Sequence, residues 1–236
     1  MSRRAVVLAG GQGTRLRPYT ITLPKPLMPL GDHPILEIII RQLARFGFER
    51  VTLAVNHQAD IIKAFFGDGS KWNIAIDYSL EPEPLSTIAP LTLIDDLPAN
   101  FLLMNGDVLT DLNIGQLFDD HVRDGRLFTI AATHRRHVTD FGVLTTNSNG
   151  ILSGFAEKPA TDYLVSMGVY AASRDILDRV PRGRKFGFDD LMLELLRRGE
   201  QVRVYKYDGC WLDIGRPDDY SQAIEEFERG KDRFLG

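Results

Sequence analysis

The chain has 236 residues, 44% hydrophobic and 25% charged, with a formal net charge of -4. That is enough apolar material for one large domain or two small ones, and it excludes bulk nucleic-acid affinity, which needs clustered cations. Cys210 is the only cysteine, so an intramolecular disulfide and any Cys-based metal site are excluded. The apolar run near the start is too short for a signal or membrane segment; a cytoplasmic protein with no membrane partner is expected.

The run AVVLA (5–9) reads as a strand and ends in Gly10, Gly11, Gln12 and Gly13, followed by Thr14, Arg15, Arg17 and the turn Pro24, Lys25, Pro26. Glycines let backbone N–H groups converge on an anion with no Cβ in the way, so strand, glycine loop and cations suggest a phosphate cradle. Two named phosphate motifs are absent. Gly13 is followed by Thr14 and Arg15 rather than Gly-Lys-Ser/Thr, and Arg15 stands where a dinucleotide fingerprint needs its third glycine.

Pro34 is placed as the first residue of a helix carrying Ile35, Ile39, Leu43 and Phe46, closed by Gly47. A strand at Val51–Val55, a helix at Asp60–Phe66 and a strand at Ile74–Tyr78 follow. Pro82 and Pro84 impose an extended approach to a helix that Ser86 or Thr87 can cap. Phe101–Met104 is a buried-strand run ending at Asn105, Gly106 and Asp107. Alternating strand and helix predicts a parallel sheet, and ligands of such sheets collect beyond the carboxyl ends of the strands.

Beyond a helix from Asn113 to about Val122, strands are expected at Leu127–Thr133, Gly142–Thr145, Ile151–Phe155 and Tyr163–Tyr170, a more antiparallel half. Between the first two, His134, Arg135, Arg136 and His137 read as a solvated loop. Helices at Arg174–Val180 and Phe188–Arg198, a strand at Val202–Tyr207 and a last helix from Pro217 bearing Tyr220, Ile224 and Phe227 complete the chain. With no repeat or composition break, one continuous domain over 1–236 is expected.

GGQGTRLRPYTITLPKPLMP resembles the signature of the sugar-1-phosphate nucleotidylyltransferases, and NGDV, FAEKP, MGVY and WLDIGRP follow in that family's order. The resemblance implies an α/β fold, a Rossmann-like mixed sheet flanked by helices with a glycosyltransferase-A-like nucleotidyltransferase core. Residues 1–112 would be mainly the nucleotide half and 113–236 mainly the sugar half. No β-helix extension is expected before the last residue, Gly236. The reaction implied joins a nucleoside triphosphate to a sugar 1-phosphate, with Mg2+, and releases pyrophosphate. The short chain is most like mannose-1-phosphate or heptose-1-phosphate guanylyltransferases.

An anionic sugar phosphate attacking a polyanion needs alignment and positive charge more than a strong base. Two unit charges about 4 Å apart interact by roughly 4 kcal/mol at an effective dielectric near 20, so a guanidinium, an ammonium and a divalent ion together outweigh any one hydrogen bond. Arg15 is assigned to the leaving phosphates and Lys25 to the transferring phosphoryl group; Arg17 is left between a phosphate contact and a solvated arginine. Asp107 and Asp213 are the expected Mg2+ carboxylates. Asp111, Asp218 and Asp219 read as cap or turn residues.

The resemblance further assigns the nucleotide to Leu8, Ala9, Gly10, Gly11, Gly13, Thr14, Glu81, Ser86, Thr87, Asn105 and Gly106. It assigns the sugar phosphate to Gly142, Glu157, Lys158 and Val169. The chain departs from the family at Ser86, where glycine is usual, and at Ser166 and Met167, where asparagine and alanine are. Glu81 would face the base, and a carboxylate suits the adjacent N1–H and N2–H of guanine, which tilts the reading to GTP over UTP or dTTP. The rival from another class is a non-catalytic nucleotide-sugar-binding subunit. Oligomeric state is left open.

Overall fold

The computed structural model describes residues 3–11, 13–56, 58–215 and 217–236; Gln12, counted above in the glycine loop, lies outside the described residues. The first half contains β1 (Arg4–Leu8), β2 (Pro29–Leu30), β3 (His33–Pro34), α1 (Ile35–Arg45), β4 (Arg50–Val55), α2 (Ala59–Phe66), β5 (Ala75–Leu80), β6 (Asn100–Asn105) and β7 (Val108–Thr110). The second contains α3 (Ile114–Asp124), β8 (Phe128–Val138), β9 (Val143–Thr146), β10 (Leu152–Ala156), β11 (Ala160–Ser173), α4 (Phe188–Arg197), β12 (Arg203–Lys206), β13 (Trp211–Asp213), α5 (Pro217–Arg229) and α6 (Lys231–Leu235).

The main sheet has seven strands in the order β12-β8-β11-β6-β1-β4-β5. β6, β1, β4 and β5 run parallel to one another, and β11 is antiparallel to both β6 and β8. The sheet is therefore mixed and flanked by helices. α1 supplies much of the core on one face: Ile35, Leu36, Ile38, Ile39, Ile40 and Leu43 are buried, each burial contributing about 2 kcal/mol. Pro34 caps this helix rather than opening it. At its end Gly47 adopts φ +77° while Phe48 N–H returns to Leu43 O at 3.0 Å. On the opposite face, Val6, Phe101 and Leu103 pack with Leu191 and Leu195 of α4.

Several expectations are corrected. His134–His137 lie within β8, which pairs with β11 out to Val138↔Ala160. These two strands run past their neighbours as a ribbon, where charged side chains stay wet on an extended backbone. Arg135 lies over the Trp211 ring at 5.7 Å and donates to the buried Asp219 at 2.7 Å, so Asp219 ties α5 to β8 instead of serving only as a turn residue. Asp111 accepts from Cys210 N–H at 2.8 Å, leaving Asn113 to cap α3 through Gln116 N–H at 2.9 Å. Arg174–Arg179 is a 3-10 helix, a further helix follows α5, and Ala223 faces the core where Ile224 was expected.

His121 of α3 is fully buried, its Nδ1 2.8 Å from Thr129 Oγ1 and its Nε2 without a partner among the described residues. Burial, with a smaller push from Arg203, lowers its pKa from 6.5 to about 4. The unfolded chain binds this proton near pH 6.5 and the folded chain only near 4, so stability falls as pH drops through that window, by about 3 kcal/mol from this group. Urea midpoints at pH 7 and pH 4 are expected to differ more in the wild type than in His121→Gln.

Candidate active site

Gly10, Asn56, Glu81 and Asp107 all stand one or two residues beyond the carboxyl ends of the parallel strands β1, β4, β5 and β6, on one edge of the sheet. The strands hold these positions together past the ladder itself. Ala9 N–H donates to Ala54 O at 2.8 Å, Glu81 N–H to Val55 O at 2.8 Å, and Gly106 N–H to Leu8 O at 2.9 Å. Gly106 has to be glycine for this approach, since a Cβ there would stand 2.8 Å from Leu8 O.

The phosphate side is built from the glycine loop and the Lys25 turn. Gly13 takes φ +60° and its carbonyl accepts from Thr20 Oγ1 at 2.7 Å, which fastens the loop to the 3-10 turn Tyr19–Ile21; a Cβ on Gly13 would stand 3.2 Å from Lys25 Cβ, at the start of the 3-10 turn Lys25–Leu27. Thr14 and Arg15 begin another such turn, Thr14–Leu16. Arg15 is exposed and has no ion-pair partner among the described residues. Lys25 is only 8% exposed; its ammonium donates to Asp107 Oδ2 and lies 3.9 Å from Asp213 Oδ1.

The two carboxylates meet because β7 and β13 form a short antiparallel pair with Val108 opposite Asp213, continued by Ile214 N–H to Asp107 O at 3.0 Å. Gly215 then lies where the charged groups converge. A Cβ on it would sit 2.8 Å from Asp213 Oδ1 and 3.0 Å from both Arg15 Nη2 and Lys25 Nζ. Arg15, Lys25, Asp107 and Asp213 therefore form one charged cluster.

Beside this cluster lies a cavity of about 320 Å³, lined by Leu8, Gly10, Gly11, Glu81, Ser86 and Thr87 and reaching Asn105 and Asp107. Glu81 is partly desolvated, and burial pushes its carboxyl up while Leu85 N–H, donating to Oε2 at 3.2 Å, opposes the shift. Ser86 adopts φ +74°, the left-handed region that favours glycine, at a position where the sequence departs from the family it resembles. Neither Ser86 nor Thr87 caps the short 3-10 helix that follows, Ala89–Leu93. Thr87 Oγ1 instead accepts from Phe188 N–H at 2.8 Å, and Phe186 N–H donates to Leu85 O at 3.1 Å, so this loop is fastened to the start of α4.

Gly142 and Glu157 form a separate pair: a Cβ on Gly142 would lie 3.3 Å from Glu157 Oε2. Both are exposed at one end of the β9–β10 ribbon, beside Lys158 at φ +44°. No hydrogen bond or ion pair among the described residues joins them to Asp107 or Asp213. Val169 is wholly buried in β11 opposite Met104. The nearby Met167 carbonyl is taken by Trp211 Nε1–H at 2.8 Å. Burial raises the Cys210 thiol to about 11, which disfavours the thiolate.

Sequence reasoning missed Gly215 and Asn56, the latter lining the cavity between Gly10 and Glu81. Asn56 carries one legible signal: it follows a predicted buried strand directly, as Asn105 does.

A family model described as nucleotidyl transferase matches residues 4–230. Among curated relatives, a UTP–glucose-1-phosphate uridylyltransferase of Synechocystis is 31% identical over 241 residues, covering 94% of this chain and 62% of its own. A mannose-1-phosphate guanylyltransferase of Mycobacterium tuberculosis is 32% identical over 233 residues, covering 96% and 65%. The chain thus spans less than two thirds of the length of these relatives. HddC from Yersinia pseudotuberculosis superposes with a TM-score of 0.75 at 25% identity, covering 95% of this chain and 99% of that one. A putative glucose-1-phosphate thymidylyltransferase from Bacillus anthracis shares the fold with a TM-score of 0.76 at 19% identity and 95% coverage of both chains. With its mixed sheet, its charged cluster at the strand ends and a match across nearly all its length, the chain belongs to the nucleotidyl transferase family.

Proposed function

We propose that the protein transfers a nucleoside monophosphate from a nucleoside triphosphate to a sugar 1-phosphate, giving a nucleotide sugar and pyrophosphate. The observation that carries this reading is the charged cluster at the edge of the Glu81 cavity, where Arg15, Lys25 and Asp213 converge around Gly215 and Lys25 pairs with Asp107. A sugar phosphate is already ionised at neutral pH, so no general base is required. Lys25, held by a stiff Pro-Lys-Pro backbone, is placed to meet the transferring phosphoryl group. Arg15, exposed and without an ion-pair partner among the described residues, can fork onto the departing phosphates. Residues 1–112 would then act mainly on the nucleotide and 113–236 mainly on the sugar, with Gly142, Glu157, Lys158 and the Val169 backbone on the sugar side.

The donor set suits Mg2+. Asp107 and Asp213 offer hard oxygens, already share a cation in the Lys25 ammonium, and belong to no group of three or more His, Cys, Asp or Glu side chains among the described residues. Mg2+ favours such a pair, completed by phosphate oxygens and water, over an all-protein cage. Bound there, it would neutralise charge on the triphosphate and align it for in-line attack. Pyrophosphate release with GTP, UTP, dTTP, CTP and ATP against a panel of sugar 1-phosphates, manno and heptose types included, tests the reading. Turnover with at least one pair is expected; silence across the panel would overturn it in favour of a non-catalytic nucleotide-sugar-binding subunit.

GTP is the favoured base donor. Glu81 Oε2 is engaged by Leu85 N–H while Oε1 stands 3.4 Å from the Cβ that Gly10 lacks, so one oxygen is directed at the loop. A carboxylate accepts from both guanine donors, whereas uracil offers one N–H between two carbonyls. Glu81→Gln is expected to lower the kcat/KM ratio of GTP to UTP by about tenfold. An unchanged ratio would show that Glu81 does not read the base.

A further inference from the structure

We infer that Asn56 is a positioning residue that sets the Gly10–Gly11 peptide and so couples the base side of the site to its phosphate loop. The inference rests on the nucleotide reading above. Asn56 is half-buried, one residue past β4, and its Nδ2 donates to Gly10 O. A carbonyl oxygen can only accept, so the amide must turn its nitrogen to Gly10. The approach is close: a Cβ on Gly10 would stand 3.2 Å from Asn56 Nδ2, 3.4 Å from its Cγ and 3.4 Å from Glu81 Oε1.

The Gly10–Gly11 peptide is trans, so its C=O and N–H point in opposite directions. Tying the Gly10 carbonyl to Asn56 therefore turns the Gly11 N–H away from Asn56. Among the described residues that N–H has no acceptor, and a Cβ on Gly11 would meet nothing within 4 Å. Among the described residues it is thus an unused donor on a residue that lines the cavity, fit for a phosphate oxygen. Without Asn56 two successive glycines could flip this peptide and turn the carbonyl, a repulsive group, toward the anion. Asn56 and Glu81 extend from adjacent parallel strands, so the residue facing the base and the residue aiming the phosphate donor share one support.

The test is calorimetric titration of GTP, UTP and inorganic pyrophosphate, each with Mg2+, into wild type, Asn56→Ala and Asn56→Asp. Asn56→Asp keeps the size but replaces the donor with an acceptor-only group. Pyrophosphate affinity is expected to fall about tenfold in Asn56→Ala and further in Asn56→Asp, with the KM for sugar 1-phosphate and the urea midpoint close to wild type. A purely structural residue would move the midpoint and leave pyrophosphate affinity in the folded fraction unchanged, which overturns the inference. Variants that bind pyrophosphate as the wild type does overturn it too. A wild type that binds no nucleoside triphosphate would remove the functional reading beneath it. Should Asn56→Ala not fold, the isosteric Asn56→Asp carries the same comparison.

Discussion

Asp107→Asn and Asp213→Asn are each expected to lower turnover by about a thousandfold, because a divalent ion clamped on a triphosphate contributes several kcal/mol to the transition state and about 1.4 kcal/mol is a factor of ten. Their effects on stability should separate. Asp107 accepts directly from the buried Lys25 ammonium, whereas Asp213 lies 3.9 Å from it. Removing the Asp107 charge leaves that ammonium short of its bonded partner and should cost about 2 kcal/mol of folding stability. Asp213→Asn should cost well under half of that. Pyrophosphate release and urea denaturation on the same preparations read both quantities, and full turnover in either variant would remove the metal assignment.

Lys25→Met should reduce kcat by about a hundredfold or more, the usual cost of deleting a preorganised positive group at a developing charge. It should also tighten divalent-ion binding. The lysine ammonium occupies Asp107 Oδ2, so an incoming cation has to displace it or share the carboxylate. Methionine keeps the length of the stem in a site that is 92% shielded, Lys25 being only 8% exposed, without offering a competing charge. Titration of Mn2+ into both proteins measures the change; equal affinity would show that Lys25 and the metal do not contend for Asp107.

Much of the fold was legible because its elements obey simple periods. The apolar positions of α1, the buried run of β6 and the glycines at strand ends are local signals, and each predicted element there is present within a few residues. The β7–β13 pair was not legible. Each strand has three residues, too few for a period, and its partner lies about a hundred residues away. The length of β8 was hidden for a different reason: His134–His137 are polar on both faces, so alternation gave no sign that the backbone continues to pair. Asp107 and Asp213 could be named from their motifs, but their meeting at the Lys25 ammonium, like the pinning of Gly10 by Asn56, depends on side-chain directions that only the assembled sheet fixes.

The ladder between β7 and β13 has a consequence for how the site comes into being. The glycine loop, Lys25, Glu81 and Asp107 all lie in the first 107 residues, whereas Asp213 arrives only with the closing of a contact between Val108 and residue 213. Closure over so long a loop carries a large entropic cost and tends to come late in folding. A chain still being synthesised thus has most of the residues that line the nucleotide cleft, though not the start of α4 that fastens Thr87, before it has the second carboxylate. Under the function proposed here, chemistry would switch on only once this ladder has closed and brought Asp213 to Lys25 and Asp107.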